Sequence, residues 1–299
     1  MSWARAAVFN IAFFAWTAVL GGIGLPFLLA PRREAMRFGR FWSRGVLFLL
    51  QTIVGLDHRI LGRDRIPAGG CIVAMKHQSA WDAIALPLVL DDPAAVVKRE
   101  LLALPFYGWY MARAGAIAID RKAGAAALRA MLAAARRAAD ERRPIVIFPQ
   151  GTRVAPGATA PYQPGVYALY QALSLPLVPA AVDSGLFWGR RSFVKRPGHI
   201  TLEFLEPIPP GWPRRRLMDE LEQRIEAATA KLEREAGDGR GQDRGGTGAQ
   251  TPRGRGNGNQ SSSPPLTICS SEYGHSAGNR LVRPGALRSS RRTSLSAAL

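Results

Sequence analysis

The chain has 299 residues, 47% of them hydrophobic, enough for the core of one domain of ordinary size with additions at its ends. Forty Lys and Arg against 22 Asp and Glu leave a net charge of +18, which favours anionic surfaces as partners. The only two cysteines, Cys71 and Cys269, lie far apart in dissimilar segments, so a disulfide framework or a cysteine metal motif is excluded.

From Ala6 to Ala30 there is no charged residue, and the run is long enough for a helix across a hydrocarbon core of ~30 Å, which takes about 20 residues. A cleaved signal peptide starting at Arg5 would be shorter and would not be followed at once by arginines. Gly21, Gly22, Gly24 and Pro26 can bend the segment, which leaves open a full crossing or a dip into one leaflet. Arg32, Arg33, Arg37, Arg40 and Arg44 come next; by the positive-inside tendency they put the following domain in the cytoplasm, and they attract anionic headgroups. Gly45 to Leu56 is too short to span and reads as an interfacial helix or a core helix.

Cys71 to Met75 is a short apolar run of the kind that forms a buried strand, and Asp82 to Leu90 an apolar helix behind it. Between them lies Lys76-His77-Gln78-Ser79-Ala80-Trp81-Asp82. On one regular helix His77 and Asp82 would stand about 140° out of phase at ~100° per residue. His77 is therefore expected in the strand-to-helix turn and Asp82 in the first turns of the helix. There the carboxylate reaches the imidazole, fixes its tautomer and stabilises the imidazolium that forms when the ring takes a proton. The plainer alternative is a hydrogen-bonded turn histidine and an aspartate that suits a helix start.

Lys98 is a candidate contact for phosphate, or a solvated surface group. Leu101 to Tyr110 is aromatic and apolar, fit either for contact with lipid or for core packing. Gly115 to Arg121 reads as a second strand ending in an acid and a base. Ala123 to Arg142 is an alanine-rich helix with Leu128, Met131 and Leu132 on one face, and Pro144 to Phe148 a third strand running into the turn Gln150-Gly151-Thr152-Arg153. In open α/β sheets ligands bind at the carboxyl edge, so Arg121 and Arg153 can converge on one anion near His77. Guanidinium forks suit phosphate, Gly151 lets the backbone approach, and Thr152 adds a hydroxyl donor. Pro164 to Leu173 is a helix, Leu177 to Val182 and His199 to Leu205 are strands, and Arg214 to Glu235 carries Leu217, Leu221, Ile225 and Ala228 at helical spacing. This alternation predicts an α/β fold with a mostly parallel central sheet flanked by helices. His58 and His199 lack acidic partners at an informative spacing and read as structural, and no cluster has metal-ligand spacing. From Gly237 onward the composition turns to Gly, Arg, Ser, Gln and Pro, a disordered tail by composition. Its Gly274-His275-Ser276-Ala277-Gly278 formally matches a hydrolase nucleophile elbow but lacks the flanking strand and helix. The expected organisation is a membrane-anchoring region at 1–57, a catalytic domain at 58–236 and the tail at 237–299.

The block His77 to Asp82, the block from Lys98-Arg99-Glu100-Leu101 through Gly115 to Arg121, the block Phe148 to Arg153 and the apolar Leu177 to Val182, in this order, resemble the glycerolipid acyltransferase family, especially its bacterial 1-acylglycerol-3-phosphate acyltransferases. The resemblance covers roughly Arg32 to Ile225. It implies that His77 is a general base, Asp82 its orienting partner, and Arg121 and Arg153 phosphate contacts. Two positions depart from the family pattern: Lys76 stands where Asn is frequent, and Gln150 where Glu is usual. Gln150 keeps hydrogen-bonding capacity for substrate or donor without the charge. The implied reaction is acyl transfer from an acyl-ACP or acyl-CoA thioester to the sn-2 hydroxyl of lysophosphatidic acid, with no bound cofactor or metal and no specific nucleic-acid partner. The implied site of action is the inner (cytoplasmic) membrane, where phospholipids are the neighbours. Two other readings stand beside it: acylation of another lyso-lipid such as a lyso-ornithine lipid, and a non-catalytic basic protein that binds anionic membranes.

Overall fold

The computed structural model describes residues 3–120 and 123–245. Arg121, Cys269, the Gly274 to Gly278 segment and the tail beyond Gly245 lie outside the described residues. Seven strands form one sheet: β1 (Leu56–Leu61), β2 (Ile72–Met75), β3 (Ala94–Lys98), β4 (Ile117–Ile119), β5 (Ile145–Ile147), β6 (Leu177–Val182) and β7 (Gly198–Phe204), in the order β1-β7-β6-β2-β5-β3-β4. The five strands from β6 to β4 run parallel, with Val73 of β2 opposite Val146 on one side and Val178 on the other. β7 is antiparallel to β6, and β1 runs parallel to β7, so two strands at one edge are reversed. The mostly parallel sheet expected from the sequence is therefore present. Two of its strands escape the sequence reading: β1 mixes Asp57, His58 and Arg59 with apolar residues at an edge, and β3 is short and alanine-rich.

Side chains of β2 alternate between two cores, as strand geometry requires. Cys71, Val73 and Met75 enter a core with Trp81, Ile84, Leu50 and Val54. Ile72 and Ala74 enter another with Met131, Leu169, Leu217, Leu221 and Ile225. Helices α2 (Arg32–Leu49) and α3 (Trp81–Val89) thus cover one face, while α5 (Gly124–Asp140), α6 (Gly165–Leu173) and α7 (Arg214–Gly245) cover the other. The short helix α4 is Tyr107–Arg113. On α5 the buried positions are Ala127, Met131, Ala135 and Ala138; of the expected face Met131 is buried and Leu132 partly so, while Leu128 is exposed, because small alanines let the helix sit close to the sheet. Helix α7 continues past residue 236 to Gly245, farther than composition suggests.

The amino-terminal region is two helices. α1 (Trp3–Ile23) has a mean hydropathy of 1.8 and exposes Val8, Ile11, Phe14, Val19 and Ile23 in an apolar band. Its inner face docks along its whole length. Phe9 meets Trp188 edge-on, Asn10 Nδ2 donates to the Phe193 carbonyl at 3.1 Å, Trp16 Nε1 donates to the Trp42 carbonyl at 3.1 Å, and Tyr110 donates to the Gly21 carbonyl at 3.3 Å. The Gly45 to Leu56 segment is the end of α2 and one wide turn after it, with Val46, Leu47, Leu50 and Val54 in the core and Phe48 exposed. The arginines ahead of it lie on α2 and are not all available to lipid. Arg32 pairs with Asp92 and Glu141, Arg37 with Glu34, and Arg40 with Asp91. His58 has an acidic neighbour after all, with Nδ1 3.5 Å from Asp57, and burial holds its pKa below the ordinary histidine value.

Candidate active site

The carboxyl ends of β2, β3, β4 and β5 open on one cleft of about 790 Å³. His77 follows β2 and lies in the turn, with its ring stacked on Phe148 at 4.0 Å and its side chain 17% exposed. Asp82, in the first turn of α3, is fully buried. Its Oδ2 accepts from His77 Nδ1 at 2.8 Å and from the backbone N–H of Gln78 (2.7 Å) and of Ser79 (2.9 Å). Its Oδ1 accepts from the Ser184 hydroxyl, which stands just beyond β6. With Nδ1 committed to the carboxylate, Nε2 carries the lone pair, and His77 lines the cleft. The arrangement equips His77 to take a proton from a bound hydroxyl.

The turn after β5 brings Gly151, Thr152 and Arg153 into the same cleft. Gly151 has φ of 67°, a left-handed conformation that glycine adopts without strain. Lys98 and Arg190 also line the cleft, and among the described residues none of Arg153, Lys98 and Arg190 has a carboxylate partner. These cations suit an anionic headgroup. Asp120, after β4, accepts from Arg99 at 3.4 Å, while Arg121 lies outside the described residues. The rest of the wall is mostly apolar, with Phe13 and Phe14 from α1, Trp42 from α2, Ile84 from α3 and Leu128 from α5, beside the polar Thr17 and Gln163. A second, almost wholly apolar cavity of about 140 Å³ adjoins it and shares Trp42, Ile84, Tyr107 and Phe148.

Gln150 does not reach this cleft, contrary to the expected substrate or donor contact. It is buried, and its Nε2 donates to Glu226 of α7 at 3.2 Å. The same carboxylate accepts from Lys76 Nζ at 2.6 and 2.8 Å and from the Tyr162 hydroxyl at 3.0 Å. Burial, then the neighbouring Glu226, pushes the Tyr162 pKa up. The sequence alone marks no role for Ser184, Arg190 or Glu226. Ser184 and Glu226 act over 102 and 150 residues of chain, and no local pattern marks such pairs.

A family model described as Acyltransferase matches residues 58–183, the span that holds His77, Asp82 and Arg153. A 1-acyl-sn-glycerol-3-phosphate acyltransferase of Pseudomonas aeruginosa is 31% identical over 207 residues, which cover 68% of this chain and 80% of the relative. A protein of the same name from Limnanthes douglasii is 29% identical over 194 residues, covering 64% and 69%. The crystal structure of the 1-acyl-sn-glycerophosphate (LPA) acyltransferase PlsC from Thermotoga maritima shares the fold, with a TM-score of 0.64 over 78% of this chain and 98% of that one at 20% identity.

Proposed function

This chain belongs to the acyltransferase family, and from that premise we propose that it moves a fatty acyl group from an acyl thioester to the sn-2 hydroxyl of 1-acylglycerol 3-phosphate, giving phosphatidic acid. The observation that carries the reading is the His77–Asp82 pair set in a cleft that is lined by Lys98, Arg153 and Arg190 and by apolar side chains. Arg153, with Lys98, Arg190 and Arg121 as further candidates, holds the phosphate; Gly151 and Thr152 offer backbone approach and a hydroxyl to the same group. His77 Nε2 removes the hydroxyl proton as the oxygen attacks the thioester carbonyl. The tetrahedral intermediate collapses, the C–S bond breaks, and the imidazolium returns its proton to the departing thiolate. Asp82 holds the ring and balances its transient charge. No acyl-enzyme is needed, because both substrates meet in one cleft, and such positioning contributes about 7 to 11 kcal/mol in favourable cases.

The donor in this reading is acyl-ACP or acyl-CoA. For α1 the reading is interfacial: a helix docked on the catalytic domain through Asn10 and Gly21 while baring one apolar band lies in a single leaflet more readily than it crosses two. The site of action in this reading is the inner membrane, with the catalytic domain on the cytoplasmic side that the arginines after α1 favour, and Phe13 and Phe14 let lipid enter the cleft directly.

Mass spectrometry of products tests this with purified full-length protein in vesicles, lysophosphatidic acid or lyso-ornithine lipid as acceptor, and both donors. Phosphatidic acid is expected, with a fall of about 10² to 10⁴-fold in His77→Ala. Equal turnover by His77→Ala, or acylation of lyso-ornithine lipid alone, would overturn the mechanism or the acceptor respectively.

A further inference from the structure

The two residues that flank His77 reach away from the cleft to the same helix. Lys76, 1% exposed, places Nζ between the two oxygens of Glu226, and Gln78 Nε2 donates to Glu233 Oε1 at 2.7 Å. Side chains alternate along an extended segment, so anchoring 76 and 78 on one side turns 77 to the other. Glu226 and Glu233 are two helical turns apart and share one face of α7. Each carboxylate also holds the second turn of the site. Glu226 accepts from Gln150, the residue before Gly151, and Glu233 Oε2 accepts from the Gly157 N–H at 3.1 Å. A backbone bond from Val154 N to the His77 carbonyl, 2.8 Å, ties the two turns together.

We propose that Glu226 and Glu233 make α7 a positioning element for the reaction, fixing the His77 turn and the Gly151–Arg153 turn in register through Lys76, Gln78, Gln150 and Gly157. The inference rests on the acyltransfer reading above. A buried Lys–Glu pair adds little stability over an apolar pair of the same volume, so fold stability alone does not account for it. It does account for a fixed geometry, and a displacement of about 1 Å can cost 10²-fold in rate. The network also explains Gln150: a glutamate there would set a second carboxylate 3.2 Å from Glu226, whereas the amide donates to it.

The test compares the full-length wild type with Lys76→Met/Glu226→Leu, which removes both charges together, and with Glu233→Ala at a half-buried position that folding tolerates. Glu220→Ala, on the same helix and engaged among the described residues with Arg224 alone, is the control. Expected in both test variants is kcat lower by about 10- to 100-fold per folded molecule, KM for the lyso-lipid within roughly threefold, and faster amide exchange in 76–80 and 150–157. Glu226→Gln, which keeps an acceptor for Lys76, should recover part of kcat. Unchanged exchange in both turns, or kcat within about twofold of wild type in folded variants, would overturn the proposal. Amide exchange reads the turns without turnover, so a wild type that acylates no lyso-lipid defeats the function reading while exchange still decides the role of α7.

Discussion

Asp82 receives four hydrogen bonds, from His77, Ser184 and two backbone N–H groups, and has no exposure to solvent. Its orientation, and that of the ring it holds, is set before substrate arrives. Asn in its place offers one acceptor oxygen to these donors and turns an N–H₂ toward others, so His77 loses its tautomer control. Asp82→Asn should lower kcat by about 10² to 10⁴-fold with little change in KM, read by initial rates on lysophosphatidic acid. Ser184→Ala, which removes one donor and leaves three, should cost about tenfold. Wild-type kcat in Asp82→Asn would show that the His77 ring does not depend on the Asp82 carboxylate. The pair is legible in the sequence because strand, turn and helix start lie within one short run. Ser184 is not, since it meets Asp82 only after β6 has been laid beside β2.

Elements declare themselves where burial is two-sided. β2, β5 and β6 read as unbroken apolar runs because parallel strands are covered by helices on both faces. β1 does not, because only Leu56 of it is buried, and the arginine-rich first half of α2 hides a helix whose ion pairs satisfy it. Arg190 enters the cleft from the segment before β7, a placement set by the reversed edge of the sheet and by nothing in its neighbours. The contact of α1 with α2 gives a prediction at this scale. A Cβ on Gly45 would stand 2.2 Å from the Trp16 ring, so Gly45→Leu must push the helices apart. Overpacking of this kind costs about 1 to 3 kcal/mol. Because Phe13, Phe14 and Trp42 form a wall of the cleft, KM for vesicle-borne lyso-lipid should rise as well. Thermal unfolding in detergent and vesicle kinetics check both; an unchanged midpoint and KM would mean that α1 is not held as described.

Over the whole molecule, the charge of +18 is a poor guide to how the protein meets a membrane, because it sums the whole chain and does not say which cations stand free beside α1. Arg32, Arg37 and Arg40 face carboxylates of their own chain, and Arg143 is buried against Asp92. Of the five arginines behind α1, only Arg33 and Arg44 are exposed without an acidic partner among the described residues, next to the apolar band of α1 and to Phe41 and Phe48. Headgroup attraction at this end should therefore come from those two, with apolar insertion independent of lipid charge. Arg33→Ala/Arg44→Ala in the full-length chain should weaken binding to anionic vesicles roughly tenfold in dilute buffer. The difference should vanish near 1 M salt, where the screening length is about 3 Å, and be absent on neutral vesicles. Sedimentation with vesicles of both kinds measures it. Undiminished binding of the double variant to anionic vesicles would move the attraction to arginines elsewhere in the chain and leave α1 and α2 with an apolar role alone.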